Sequence, residues 1–274
     1  MCDRGVGRTK RRRGSTRSGI LTAAVLAGAA GAAVVASSVA LRHQARIARR
    51  RIGKPLGEDA LVADRVWRGK LPGQPLDLLL LGDSIAAGLG AGHRKETLGA
   101  RVAKGLARKL GRPVRLRTAA VVGSETSALA GQLDALPDAY TPDVAIVIVG
   151  GNDVTHRIPS TRSAAQLSEA IDRLRERNVA VVVGTCPDLG ALRAVPQPLR
   201  TVVGRLSRRL AAVQTEAALA HGAHPVSLRR AVGPFFLAQP DEMFAIDRFH
   251  PSAAGYRRTA DALVPVALSA LAAR

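Results

Sequence analysis

The sequence predicts an α/β domain in which a parallel sheet is covered by helices on both faces. Short runs rich in Leu, Val and Ile recur along the chain, longer amphipathic stretches separate them, and glycine-containing turns close several of the runs. Strands that alternate with helices are joined by crossovers and so pair in parallel, and such a sheet is buried on both sides. This accounts for Leu78-Leu79-Leu80-Leu81, which is continuously apolar instead of alternating.

The first strand, over 76–81, leads into Gly82-Asp83-Ser84 and then an amphipathic helix at 95–110. A second strand at 114–121 ends in Val122-Gly123-Ser124 and is followed by a helix at 125–136. The third, at 143–149, ends in Gly150-Gly151-Asn152-Asp153 before a helix at 162–177. The fourth, at 179–184, runs into Thr185-Cys186-Pro187-Asp188, and a helix at 199–221 leads to a fifth strand at 223–227. Asp247-Arg248-Phe249-His250-Pro251 precedes a last helix that reaches the C-terminus. Ligands of open α/β sheets bind beyond the carboxyl ends of the strands, so the turns at 82–84, 122–124 and 150–153 face one crevice.

The 274 residues divide into a basic tail at 1–19, an uncharged membrane segment at 20–41, a basic juxtamembrane segment and linker at 42–75, and the α/β domain at 76–274. The segment 20–41 has about the 20 residues a helix needs to cross a bilayer, which favours an uncleaved anchor. Ser38-Val39-Ala40 keeps a cleaved signal, and hence a secreted protein, as the alternative. Seven Lys or Arg precede the segment and six follow it within residues 42–54, so charge asymmetry leaves both orientations open. A basic N-terminus ahead of the first apolar segment places the domain outside the cytoplasm, with a cytoplasm-facing domain as the alternative. Of the net charge of +20, residues 1–54 carry +12, from 13 Lys and Arg against the single acid Asp3. The remaining +8 is spread without a basic run interleaved with aromatics, so anionic lipid headgroups are a simpler partner than nucleic acid. Aromatic residues are 3% of the chain, and the core is therefore built from Ala, Val and Leu. Nothing in the sequence specifies an oligomeric state.

The turn LGDSIAAGLGAG at 81–92 could serve a phosphate or a nucleophile. It lacks the Lys and following hydroxyl of a P-loop, and Asp83 occupies a position that a dinucleotide-binding loop keeps small and uncharged. Ser84 is left at a strand-to-helix turn, either as a plain helix cap or as an exposed nucleophile. The remaining groups of an acyl-transfer site are present in the same chain. His250 can take the proton of Ser84, and Asp247, three residues earlier, can reach the other imidazole nitrogen. The backbone N–H groups of Ser84 and Gly123 and the side-chain amide of Asn152 can face a developing oxyanion. Asp83 and Asp153 are read as supports for their loops. Cys186 is read as a small residue near the crevice, His93 and His156 as residues near its mouth, and His221 and His224 as surface or capping residues, with no spacing that suggests a metal site.

The ordered set Ser84, Gly123, Asn152 and His250, with the Asp247-x-x-His250 pair and the Gly150-x-Asn152-Asp153 block, resembles the SGNH, or GDSL, hydrolases. The resemblance spans about 180 residues from Leu79 onward, and Ile85 stands where the eponymous motif has Leu. It implies a flavodoxin-like three-layer α/β/α sandwich with a five-stranded parallel sheet. It also implies a serine esterase that forms an acyl-enzyme on lipid, acyl, acetyl or glycan esters without metal or cofactor. An acyltransferase using the same residues is the alternative.

Overall fold

The structure, a computed structural model, describes residues 1–2 and 36–274. It falls into two compact units, Met1–Arg46 and Ile47–Arg274. Helix α1 covers residues 36–52. The expected membrane segment at 20–41 lies outside the described residues as far as residue 35, and so does nearly all of the basic tail. Among the described residues no helix is long and apolar enough to cross a membrane.

The second unit is built on a six-stranded sheet: β1 (Val66–Trp67), β2 (Leu76–Gly82), β3 (Val114–Thr118), β4 (Val144–Ile148), β5 (Ala180–Gly184) and β6 (His224–Val226), in the order β1-β3-β2-β4-β5-β6. The five strands expected from the sequence pair in parallel, in the flavodoxin-like order. The sixth corrects the expected five-stranded parallel sheet, because β1 is antiparallel to β3 and makes the sheet mixed. A two-residue strand carries no periodicity, and it lies in the stretch read as linker. Its anchor is Trp67, 7% exposed, whose indole N–H donates to the Ala63 carbonyl at 3.1 Å while Arg65 and Lys104 approach the ring.

Helices α2 (Ser84–Ala87), α3 (Leu98–Leu110), α4 (Leu129–Asp134), α5 (Gly151–His156), α6 (Ser160–Glu176), α7 (Leu199–Ala220), α8 (Leu228–Ala231), α9 (Gly233–Ala238), α10 (Pro240–Met243) and α11 (Ala253–Ala272) connect and cover the strands. Leu78, Leu80, Leu116, Ile146 and Val182 pack in one cluster with residues of α3 and α11. Their strand neighbours Leu79, Leu81, Ala145, Val147 and Val183 pack in another with residues of α4, α6 and α7. The two-residue period of a strand thus sends consecutive apolar residues into opposite layers, each buried Leu contributing about 1.5–3 kcal/mol. Helices α5 and α8–α10 were not expected, since four to six residues are too few to show a helical period.

Candidate active site

The turn after β2 is shaped by a close approach of backbones. Gly82 pairs with Ile148, and a Cβ on Gly82 would meet the Ile148 carbonyl oxygen at 1.8 Å. With φ at 127°, the position admits only glycine without displacing β4. Buried Gln132 of α4 then takes the place of a neighbouring strand. Its Oε1 accepts the Gly82 N–H at 2.9 Å, and its Nε2 donates to the Gly82 carbonyl at 2.8 Å and to Ser124 Oγ at 3.3 Å. Two residues on, Asp83 caps α2 by accepting the Ile85 N–H at 3.0 Å, which places Ser84 in the first helical turn. Burial pushes the Asp83 carboxyl up to about 6, against the opposing pull of the Ile85 N–H, His250 and the Gly151 N–H.

Ser84 Oγ lies 2.9 Å from His250 Nε2, and His250 Nδ1 lies 2.5 Å from Asp247 Oδ2. The other Asp247 oxygen accepts the backbone N–H groups of Phe249 and His250, both at 3.0 Å. Burial raises the Asp247 carboxyl, but the His250 side chain and these two N–H groups outweigh it and hold the group below its ordinary value. An ionised carboxylate can only accept, so the imidazole carries its proton on Nδ1 and Nε2 accepts from the Ser84 hydroxyl. The loop that presents the pair is a narrow one, closed by the Phe244–Pro251 bridge and by the Ala245 N–H donating to the His250 carbonyl at 2.8 Å.

The turns after β3 and β4 are tied to each other. Asn152 Nδ2 donates to the Ser124 carbonyl at 2.9 Å, fixing the amide orientation and leaving it a second N–H. Beneath it, Asp153 accepts the Thr126 N–H at 3.0 Å and the Ser163 hydroxyl at 2.6 Å. Gly123 is exposed with φ at 83°, and nothing lies within 4 Å of where a Cβ would stand. Ser84, Asn152 and His250 share one cavity wall. An acyl carbonyl placed there meets a hydroxyl paired with a base, and an amide donor held in place.

The sequence profile of the GDSL-like Lipase/Acylhydrolase family matches residues 80–258. The chain belongs to this family. It is 42% identical over 198 residues to a GDSL-like esterase of Mycobacterium tuberculosis, a match covering 72% of this chain and 63% of that protein's length. Solved structures of similar fold include a lipase/acylhydrolase from Enterococcus faecalis, at 23% identity and a TM-score of 0.55, covering 69% of this chain and 94% of that one. Another is a catalytic mutant of an acetylxylan esterase from Geobacillus stearothermophilus, at 20% identity and a TM-score of 0.56, covering 73% and 95%.

Within this GDSL-like domain the other residues singled out from the sequence lie apart from the Ser84–His250–Asp247 chain. Cys186 is buried, and burial raises its thiol well above the usual range, so it is a poor nucleophile. His156 pairs with Glu125 at 2.7 Å, His221 with Asp172 at 2.7 Å, His93 is exposed, and His224 lies in β6. Among the described residues no cluster of His, Cys, Asp and Glu could hold a metal.

Gln132, Gln214 and Ser163 were missed from the sequence. Gln214 of α7 repeats the action of Gln132, donating to the Val149 carbonyl at 2.9 Å and accepting the Cys186 N–H at 2.7 Å, and so joins the ends of β4 and β5. The available signal was positional: Gln132 stands three residues after Leu129 and Gln214 four after Leu210, each on the buried stripe of its helix.

Proposed function

We propose that the chain is a serine esterase that cleaves carboxylic esters through an acyl-enzyme, with Ser84 as nucleophile, His250 as general acid and base, and Asp247 as its orienting carboxylate. The unbroken line from Ser84 Oγ through the imidazole to a buried, ionised Asp247 carries this reading. Ser84 Oγ attacks the ester carbonyl as its proton passes to His250 Nε2. The N–H groups of Ser84 and Gly123 and the amide of Asn152 receive the oxyanion, and His250 returns the proton to the departing alcohol. Water then repeats the sequence on the acyl-serine. Asp83 and Asp153 support the loops that carry these groups. The kinship with a GDSL-like esterase supports ester chemistry.

Hydrolysis of p-nitrophenyl esters tests the reading. Ser84→Ala is expected to lower kcat by about 10⁴-fold or more at unchanged thermal stability. Equal turnover by wild type and variant would overturn it. An acyltransferase would share the first half-reaction, and adding a soluble alcohol separates the two by the ester product that forms.

The uncharged stretch at 20–41 supports a single-pass anchor with the esterase domain outside the cytoplasm. Sedimentation of the full chain with membranes, and release when residues 1–54 are removed, is the expected outcome.

A further inference from the structure

The cavity that Ser84 lines is also walled by Leu192, Val232, Phe236, Phe244 and Phe249, with Leu228 of α8, Gly233 of α9 and Thr259 of α11. The chain has only four Phe, and all fall within 235–249; three of them line this space. Phe236 and Phe244 meet edge to face at 4.9 Å, and Phe249 stands against the His250 ring at 4.8 Å. Away from Ser84, Asn152 and His250, the polar side chains Asp188 and Thr259 in the wall are already engaged. Asp188 holds Arg208 at 3.1 Å and Arg229 at 3.4 Å, and the Thr259 hydroxyl donates to the Gly255 carbonyl at 2.9 Å. Beyond Ser84, Asn152 and His250, a ligand group in this space meets mainly hydrocarbon.

The Phe-lined cavity measures about 70 Å³. Chemistry decides which half of an ester occupies it. The bond between Ser84 Oγ and the carbonyl carbon forms as the bond to the alcohol oxygen breaks; the alcohol leaves with the proton from His250, and water must reach the acyl carbon from the same direction. Only the acyl group stays through both half-reactions, while the alcohol must leave and water must enter, so a small apolar space beside Ser84 suits the acyl group.

We infer that the Phe-lined cavity is the acyl chamber, and that the preferred substrate carries a short hydrocarbon acyl group. At about 10–15 Å³ for each water-sized group, the chamber holds on the order of five such groups, which corresponds to an acyl chain of roughly four carbons. The inference rests on the serine-esterase reading, and one experiment separates the two. The full chain is assayed on p-nitrophenyl acetate, butyrate, hexanoate, octanoate and decanoate, beside Ser84→Ala. Serine-dependent kcat/KM is expected to rise by about fourfold for each buried methylene up to butyrate and to fall at least tenfold by octanoate. Phe244→Ala is expected to move the maximum to longer chains, and Leu192→Phe to move it toward acetate. A wild-type rate that climbs steadily to decanoate, or a maximum unmoved in either folded variant, overturns the chamber and leaves the esterase standing. Turnover that persists in Ser84→Ala, or no turnover of any ester, overturns both. Should Phe244→Ala not fold, the wild-type profile and Leu192→Phe still decide.

Discussion

Asp153 and His156 stand three residues apart on α5, and each reaches across to the turn that carries Gly123. Asp153 is 1% exposed and accepts two hydrogen bonds, from the Thr126 N–H and the Ser163 hydroxyl. His156 forms its 2.7 Å contact with Glu125 in the open, with 57% of its side chain exposed. In a buried site a charged acceptor is irreplaceable, because losing it leaves its donors unsolvated. At the surface, water takes over the role of either partner. The comparison teaches that the two turns are registered from below, and that the visible bridge at the crevice mouth is incidental to their alignment.

Asp153→Ala should show the largest effect. With the Thr126 N–H and the Ser163 hydroxyl left unpaired and Asn152 unbraced, we expect a loss of about 3–5 kcal/mol in stability and about 100-fold in kcat. Urea unfolding and steady-state kinetics check this, and a variant within 1 kcal/mol of wild type would break the comparison. Gln132→Leu extends it to the nucleophile turn. It keeps a similar volume but strips both backbone groups of Gly82 of their partner, for about 2–6 kcal/mol at about 1–3 kcal/mol per group. Because Ser84 is displaced while the acyl wall is intact, kcat should fall more than KM rises.

Asp83 sharpens the contrast through pH. Its carboxyl titrates near 6 in the folded chain, against about 4 when unfolded. Between those values the folded state holds the extra proton, so Asp83 is harmless below about pH 4 and increasingly destabilising as pH rises to 6, by about 3 kcal/mol when complete. Asn can still accept the Ile85 N–H. Asp83→Asn should therefore gain stability relative to wild type by about that amount between pH 4 and pH 7, as measured by denaturant unfolding; a difference independent of pH would show that the burial is not felt. The smallest effect belongs to His156→Ala, for which we expect less than 1 kcal/mol and kcat within about twofold. A tenfold loss would promote the exposed bridge to a positioning role.

Ser84, Gly123 and Asn152 were legible because each follows the end of a strand, and strand ends are marked by glycine and by the close of an apolar run. The Asp247–His250 pair lies between α10 and α11 and was legible by its three-residue spacing instead. The groups that hold them were harder to see, since Gln132, Gln214 and Ser163 lie inside helices whose period is set by apolar neighbours. A polar residue on the buried stripe is a sign of a buried hydrogen bond, although not of which backbone it serves. The cavity wall was hidden for another reason. Part of the wall comes from the loop after β5, through Pro187, Asp188, Leu189, Ala191 and Leu192. The rest of the wall comes from 228–251, where the clustering of every Phe in an aromatic-poor chain was the overlooked signal.

The small strand β1 has a consequence for self-association. An uncovered parallel strand would offer a row of unpaired N–H and carbonyl groups to any passing chain. Here Val66–Trp67 occupies the start of β3, and the Asp64 carboxylate takes the Thr118 N–H at 2.9 Å where the pairing stops. At the far side, β6 is three residues long and has Pro225 at its centre, which has no N–H to donate. Neither margin of the sheet templates the addition of another strand, so even at high local concentration the domain resists zipping edge to edge into fibres.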